Sequence, residues 1–115
     1  MEVKVVESGF VRVARKSELP VGEMKVVTVE GKEVLIANVN GTYYAIGNKC
    51  THANVDLSRG SLEGNVVTCP KCAAKLDVTN GRVVAPPKVR LSHPKIRDEP
   101  SYQVKIVNEN IVVKL

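Results

Sequence analysis

The sequence predicts an all-β fold, an antiparallel sandwich or small barrel, and three observations carry that prediction. Val and Ile together supply 27 of 115 residues while aromatics make up 3%. Branched side chains fit a pleated sheet and lose rotamer freedom in a helix. Short apolar runs recur between Gly and Asn turn signals, and no stretch holds a helical period over several turns. The length suits one domain, residues 1–115, and a chain of this size buries roughly two-thirds of its unfolded surface.

The elements follow in order. Phe10-Val11-Arg12-Val13-Ala14-Arg15 alternates apolar and polar residues, as a half-buried strand does. Ser17 to Gly22 is a turn region closed by Pro20 and Gly22. Lys25 to Val29 and Val34 to Val39 read as a hairpin across Glu30-Gly31-Lys32-Glu33. Asn40-Gly41 is a strong two-residue turn signal because both residues accept positive φ, and it leads into Thr42 to Ile46. Tyr43 and Tyr44 are expected to face the core and the surface respectively, or the reverse. From Gly47 to Asn65 no period is sustained. Val66-Val67-Thr68, Lys75 to Val78 and Arg82 to Val84 are short strands, the last two flanking Thr79-Asn80-Gly81. Tyr102 to Val107 and Ile111 to Leu115 pair across Asn108-Glu109-Asn110. About nine strands with such turns, and neither repeat nor linker, complete the all-β prediction.

Charge narrows the function classes. The net charge is +5 with 17 basic residues, and the densest basic set is Lys88, Arg90, Lys95 and Arg97. The bases are spread along the chain instead of lying beside aromatics, so nucleic acid ranks below a solvated surface or an acidic protein partner. No run approaches the ~18 apolar residues of a membrane helix. The start, Met1 to Glu7, carries acids and no signal segment. A cytoplasmic monomer without membrane contact is expected.

Three cysteines, Cys50, Cys69 and Cys72, exclude a complete set of intrachain disulfides. They sit in the middle third with His52, as Cys50-Thr51-His52, sixteen residues, then Cys69-Pro70-Lys71-Cys72. Each pair closes a tight loop. Sulfur and imidazole donors suit zinc, one iron or an iron–sulfur cluster, and exclude calcium and magnesium. A thioredoxin-type disulfide at Cys69 and Cys72 lacks its strand–helix–strand surroundings. His93, beside Pro94, reads as a plain loop residue. No Ser–His–Asp set or carboxylate pair points to catalysis, so an enzyme is not expected.

On these residues the chain resembles the Rieske-type ferredoxins, which carry Cys-x-His, fifteen to seventeen residues, then Cys-x-x-His. Cys72 stands where that family has its second histidine. Phe10-Val11-Arg12-Val13, Asp56-Leu57, Gly64 to Pro70, Lys75 to Val78, Asn80-Gly81 and Pro86-Pro87 extend the resemblance from about Phe10 to Pro87. Lys88 to Ser101 is longer than most members have there. The rest of the motif fits so closely that Cys72 reads as a deliberate substitution for histidine. The loops lack the extra cysteine pair of respiratory Rieske proteins, which places the chain with the low-potential ferredoxins.

The resemblance implies an antiparallel β-sandwich with a small cluster-binding subdomain, about residues 47–87, made of two ligand loops. It implies a 2Fe–2S cluster, with Cys50 and Cys69 on one iron and His52 and Cys72 on the other. His52 would lie at the solvent-facing edge as the electron exit. N–H groups of Ala53, Ala73 and Ala74 would point at the sulfurs, and Pro86-Pro87 would cover the cluster. Its function would be one-electron transfer between redox proteins, from a ferredoxin reductase to an oxygenase or other oxidoreductase. Two alternatives stay open: a mononuclear zinc or iron site of three Cys and one His, and a subunit whose cluster senses redox state.

Overall fold

In the computed structural model, which describes residues 5–7, 9–87 and 96–115, the described residues form eleven strands in two antiparallel sheets. The larger sheet holds β1 (Val5–Glu7), β2 (Phe10–Arg15), β3 (Met24–Val29), β4 (Lys32–Val39), β5 (Thr42–Gly47), β10 (Ser101–Val107) and β11 (Asn110–Lys114). Its order is β1-β2-β11-β10-β5-β4-β3. The smaller sheet is β6 (Ser61–Glu63), β7 (Val66–Thr68), β8 (Lys75–Asp77) and β9 (Val83–Ala85), in sequence order. The all-β expectation holds. β1 and β6 lie outside the nine expected strands, and each is a strand through its pairing, Val5 with Val11 and Leu62 with Val67. Lys88, Arg90, His93 and Lys95 lie outside the described residues.

Turn chemistry sets the register. Val29 pairs with Lys32, so the first hairpin turns on Glu30 and Gly31 alone, both at positive φ (52° and 82°). That is two residues tighter than the sequence pattern indicates, because Lys32 and Glu33 already belong to β4. Asn40 and Gly41 adopt the left-handed region as expected (54° and 94°). Buried Asn38 secures that turn: its Oδ1 accepts the Gly41 N–H at 2.8 Å and its amide donates to the Leu19 carbonyl at 2.8 Å. Val107 pairs with Asn110, which leaves a two-residue turn at Asn108-Glu109.

β4 is buried on both faces. Along it, Val34 and Ile36 enter one core with Ala14, Leu19, Ala45, Ile111 and Val113. Leu35 and Ala37 enter another with Ile46, Leu57, Val67, Leu76 and the three cysteines. Residues of β2 and β11 therefore pack onto β4 and β5, so the large sheet folds over itself as a sandwich. Its other face carries the small sheet. This double burial corrects the reading of the tyrosines. Tyr43 and Tyr44 are both half-buried, one against each core, because β5 has no solvent face at that point.

The small sheet is held close by Gly60. A Cβ there would lie 1.8 Å from the Thr68 carbonyl oxygen and 3.2 Å from Pro70 Cδ. Gly60→Ala should therefore lower stability by about 2–4 kcal/mol, since only backbone movement makes room. Urea denaturation should show the lower midpoint.

Candidate metal centre

The first loop leaves β5 and is closed at its neck. Lys49 bridges to Asp56, with Nζ 2.5 Å from Oδ1 and 3.6 Å from Glu33 Oε1. The bond between them raises the Lys49 pKa and lowers that of Asp56. Asn48 reinforces the neck: its amide donates to Glu33 Oε1 at 3.1 Å and its Oδ1 accepts the Ser58 N–H at 3.2 Å. The second loop is carried by β7 and β8, whose ends pair Thr68 with Lys75.

The two loops share one backbone pattern. Cys50 N–H donates to the Val55 carbonyl at 2.9 Å, and Asn54 N–H to the Cys50 carbonyl at 2.7 Å. In the second loop Cys69 N–H donates to Ala74 at 2.8 Å, and Ala73 N–H to Cys69 at 3.0 Å. The fifth residue of each loop is left-handed, Asn54 at φ 56° and Ala73 at φ 63°. Each first cysteine then receives the N–H of the fourth residue: Ala53 reaches Cys50 Sγ at 3.3 Å, and Cys72 N–H reaches the Cys69 sulfur. Cys72 is thus the counterpart of Ala53, whereas His52 stands one residue earlier in its loop.

Among the described residues, the ligand atoms that converge to within 4.8 Å of one another are the thiols of Cys50, Cys69 and Cys72, all buried. Cys50 Sγ and Cys72 Sγ are 3.8 Å apart. His52 is not in that set. It is half-buried on the same loop, with Nδ1 shielded from solvent. The sulfurs titrate apart. Burial opposes ionisation of Cys69, yet the backbone N–H groups of Cys72 and Lys71 hold its pKa below the usual thiol value. Burial pushes the Cys72 thiol up to about 12, and the neighbouring sulfurs of Cys69 and Cys50 add to that against the Ala74 N–H. Ala53 and Ala74 thus donate to sulfur as expected, while Ala73 donates to a carbonyl instead. It has turned left-handed and its N–H closes the loop.

A Rieske [2Fe-2S] domain profile matches residues 9–103. The chain belongs to the Rieske family. It is 37% identical over 98 residues to the naphthalene 1,2-dioxygenase system ferredoxin component of Pseudomonas aeruginosa, covering 85% of this chain and 88% of that protein. The ferredoxin of carbazole 1,9a-dioxygenase from Nocardioides aromaticivorans IC177 superposes with a TM-score of 0.82 at 28% identity, over 93% of this chain and 98% of that one. The ferredoxin in a carbazole 1,9a-dioxygenase complex of reduced oxygenase and oxidized ferredoxin, 23% identical, shares the fold with a TM-score of 0.79 over 94% of each chain. The family's cofactor is a 2Fe–2S cluster, and the donors here fit it. Three buried thiols converge on N–H donors, with an imidazole on the same loop.

Pro86 is exposed and Pro87 half-buried, directly after β9. Sequence reasoning passes over Thr51 and Glu99, which meet beside the first loop. Nothing in a charged, Pro-flanked stretch such as Arg97-Asp98-Glu99-Pro100 announces a buried carboxyl. Among the described residues no helix is long and apolar enough to cross a membrane.

An L-alanine held at φ 63° is strained. Ala73→Gly should gain about 0.5–1 kcal/mol, the strain relieved exceeding the added chain entropy. Thermal melting of the metal-free protein, compared with its parent, checks this.

Proposed function

We propose that this chain is a one-electron carrier, the ferredoxin component of an oxygenase system, with a 2Fe–2S cluster held by Cys50, Cys69, Cys72 and His52. The convergence of three buried thiols on the tips of two matched loops is the observation that carries this reading. Cys50 and Cys69 occupy equivalent loop positions and are assigned to one iron; Cys72 and His52 are assigned to the other. When bound, the cluster accepts and releases a single electron. The chain's own groups do the rest. Backbone N–H groups of Ala53, Lys71, Cys72 and Ala74 face sulfur and offset its negative charge. Leu35, Leu57, Val67 and Leu76 keep water from the thiols.

The relatives indicate the partners. Curated proteins similar to this chain are ferredoxin components of naphthalene, biphenyl and 2,4-dinitrotoluene dioxygenase systems. Solved complexes pair such a ferredoxin with its oxygenase in carbazole 1,9a-dioxygenase. By this reading the chain shuttles between a reductase and an oxygenase in the cytoplasm, with His52 at the exit side. The net charge of +5 favours partners with acidic docking surfaces.

A second reading rests on one distance. Metal–sulfur bonds of about 2.3 Å around a tetrahedral ion separate sulfurs by about 3.8 Å, and Cys50 and Cys72 stand 3.8 Å apart. One zinc or iron on the same scaffold would use that geometry.

Iron and acid-labile sulfide analysis decides between them. Two irons and two sulfides per chain are expected; one metal without sulfide would establish the mononuclear site. Charge then orders the potentials. Two ferric ions, two sulfides, three thiolates and one neutral imidazole leave the oxidised site at −1, against zero with two imidazoles. Rieske centres span roughly −150 to +300 mV and plant-type four-thiolate clusters lie near about −400 mV. The parent should fall between those groups, and Cys72→His should raise its potential in protein-film voltammetry. An unchanged potential would mean that Cys72 is not a ligand.

A further inference from the structure

Residues 97–100 strap three parts of the molecule together. Thr51, between Cys50 and His52, donates its hydroxyl to the Arg97 carbonyl at 2.7 Å and accepts the Arg97 N–H at 2.8 Å. The Asp98 carboxylate accepts the Val83 N–H at 2.9 Å. Glu99 N–H donates to the Gly81 carbonyl at 2.8 Å, and the Pro100 carbonyl accepts the Gly47 N–H at 3.0 Å. The first ligand loop, the β8–β9 turn and the end of β5 are thus joined through four consecutive residues.

Inside the strap the Glu99 side chain points inward and is only 6% exposed. Its carboxyl accepts the backbone N–H of Thr51, and Oε2 has no hydrogen-bond partner among the described residues. Two glycines make the room. A Cβ on Gly47 would lie 2.4 Å from Glu99 Oε1, and one on Gly81 2.2 Å from the Glu99 carbonyl oxygen.

Among the described residues it is the Thr51 N–H that favours the ionised carboxyl, and no cation does so. Lys49, in the first loop, is paired with Asp56 and Glu33. Arg82 and Arg97 are exposed. Asp77 is taken up by Thr79 and Asn65, and Asp98 by Val83. Burial and then the charge of Glu99 raise the pKa of Tyr102, on β10. Burial, opposed by the Thr51 N–H, pushes the Glu99 carboxyl up to about 7. The backbone that binds this carboxyl lies between two ligand positions.

We propose that Glu99 is the proton-coupling residue of electron transfer: its carboxylate takes one proton from solvent as an electron enters from the donor protein, and returns it when the electron leaves. The balance is one electron from the donor, one proton from water and one O–H bond formed on Glu99. This rests on the electron-carrier reading above. An added electron and an ionised Glu99 repel across a dry region of low dielectric. Reduction therefore favours the protonated acid, and by reciprocity a protonated acid favours reduction.

The test uses the purified, cluster-loaded full chain. By protein-film voltammetry, the reduction equilibrium constant should fall as pH rises from about 5.5 to 8.5, at most tenfold per pH unit, or about 59 mV. Glu99→Gln keeps an acceptor for the Thr51 N–H but has no group that ionises in this range, and should flatten this window. Thr51→Val removes the hydroxyl clasp and should leave the slope in place. Independently, the reduced-minus-oxidised infrared difference spectrum of the parent should show a protonated-carboxyl band that shifts in deuterated water. A slope retained by Glu99→Gln, or a reversible wave with neither slope nor carboxyl band, overturns the proposal and leaves the electron carrier standing. Absence of any reversible wave overturns the electron-carrier reading, and this proposal with it.

Discussion

The structure depends on the burial of β4 on both of its faces. Val34 and Ile36 lock the large sheet onto itself, while Leu35 and Ala37 form the floor on which the small sheet and the three thiols sit. A single stretch of four apolar residues thus fixes where the ligand loops lie relative to the sandwich. The thiols share a core with Leu35, Ile46, Leu57, Val67 and Leu76, so the site is as dry as the interior. Burial raises both thiols, and hydrogen bonding separates them. Two sulfurs in one pocket meet different numbers of N–H donors, so the Cys69 pKa is lowered while that of Cys72 is raised.

Matched loops account for the donor arrangement. In each, a hydrogen bond from the first cysteine's N–H to the sixth residue's carbonyl, together with a left-handed fifth residue, turns the intervening N–H groups toward sulfur. The second donor proposed in each loop then departs from symmetry by one position, with His52 third in its loop and Cys72 fourth. Ala53 occupies the position equivalent to Cys72 and supplies an N–H instead of a side chain. The ferredoxin of carbazole 1,9a-dioxygenase shares the overall fold that carries these two loops.

Much of this is legible in the residues. Alternation in Phe10 to Arg15, the Asn40-Gly41 turn and the spacing of Cys50, His52, Cys69 and Cys72 are local signals, and local physics decides them. Other features depend on distant parts of the chain. β6 is a strand because Leu62 finds Val67 across the small sheet, not because Ser61-Leu62-Glu63 has a pattern. Both tyrosines are half-buried because a second layer covers what alternation marks as an outer face. Ala73 spends its N–H on a carbonyl because a tight loop must close. Glu99 reads as one more surface acid, since its burial is made by Gly47 and Gly81, 52 and 18 residues away.

The same burial that protects the site limits how much charge it can hold when empty. Three thiols lie within 4.8 Å with no cation among them, so ionising all of them without metal would place like charges together in a low dielectric. Cys72 answers this by staying protonated, its pKa pushed to about 12. On the proposed ligand set, loading the site releases a proton from Cys72, so acquisition of the cofactor is favoured as pH rises. On the same assignment a thiolate at position 72 adds negative charge to the filled site, in a chain where a nearby buried carboxyl leans on a backbone N–H. Folding around the cofactor and holding an electron on it thus meet one electrostatic limit. The N–H groups aimed at sulfur relieve it in the first case, and in the second they act beside whatever proton the surroundings can take up.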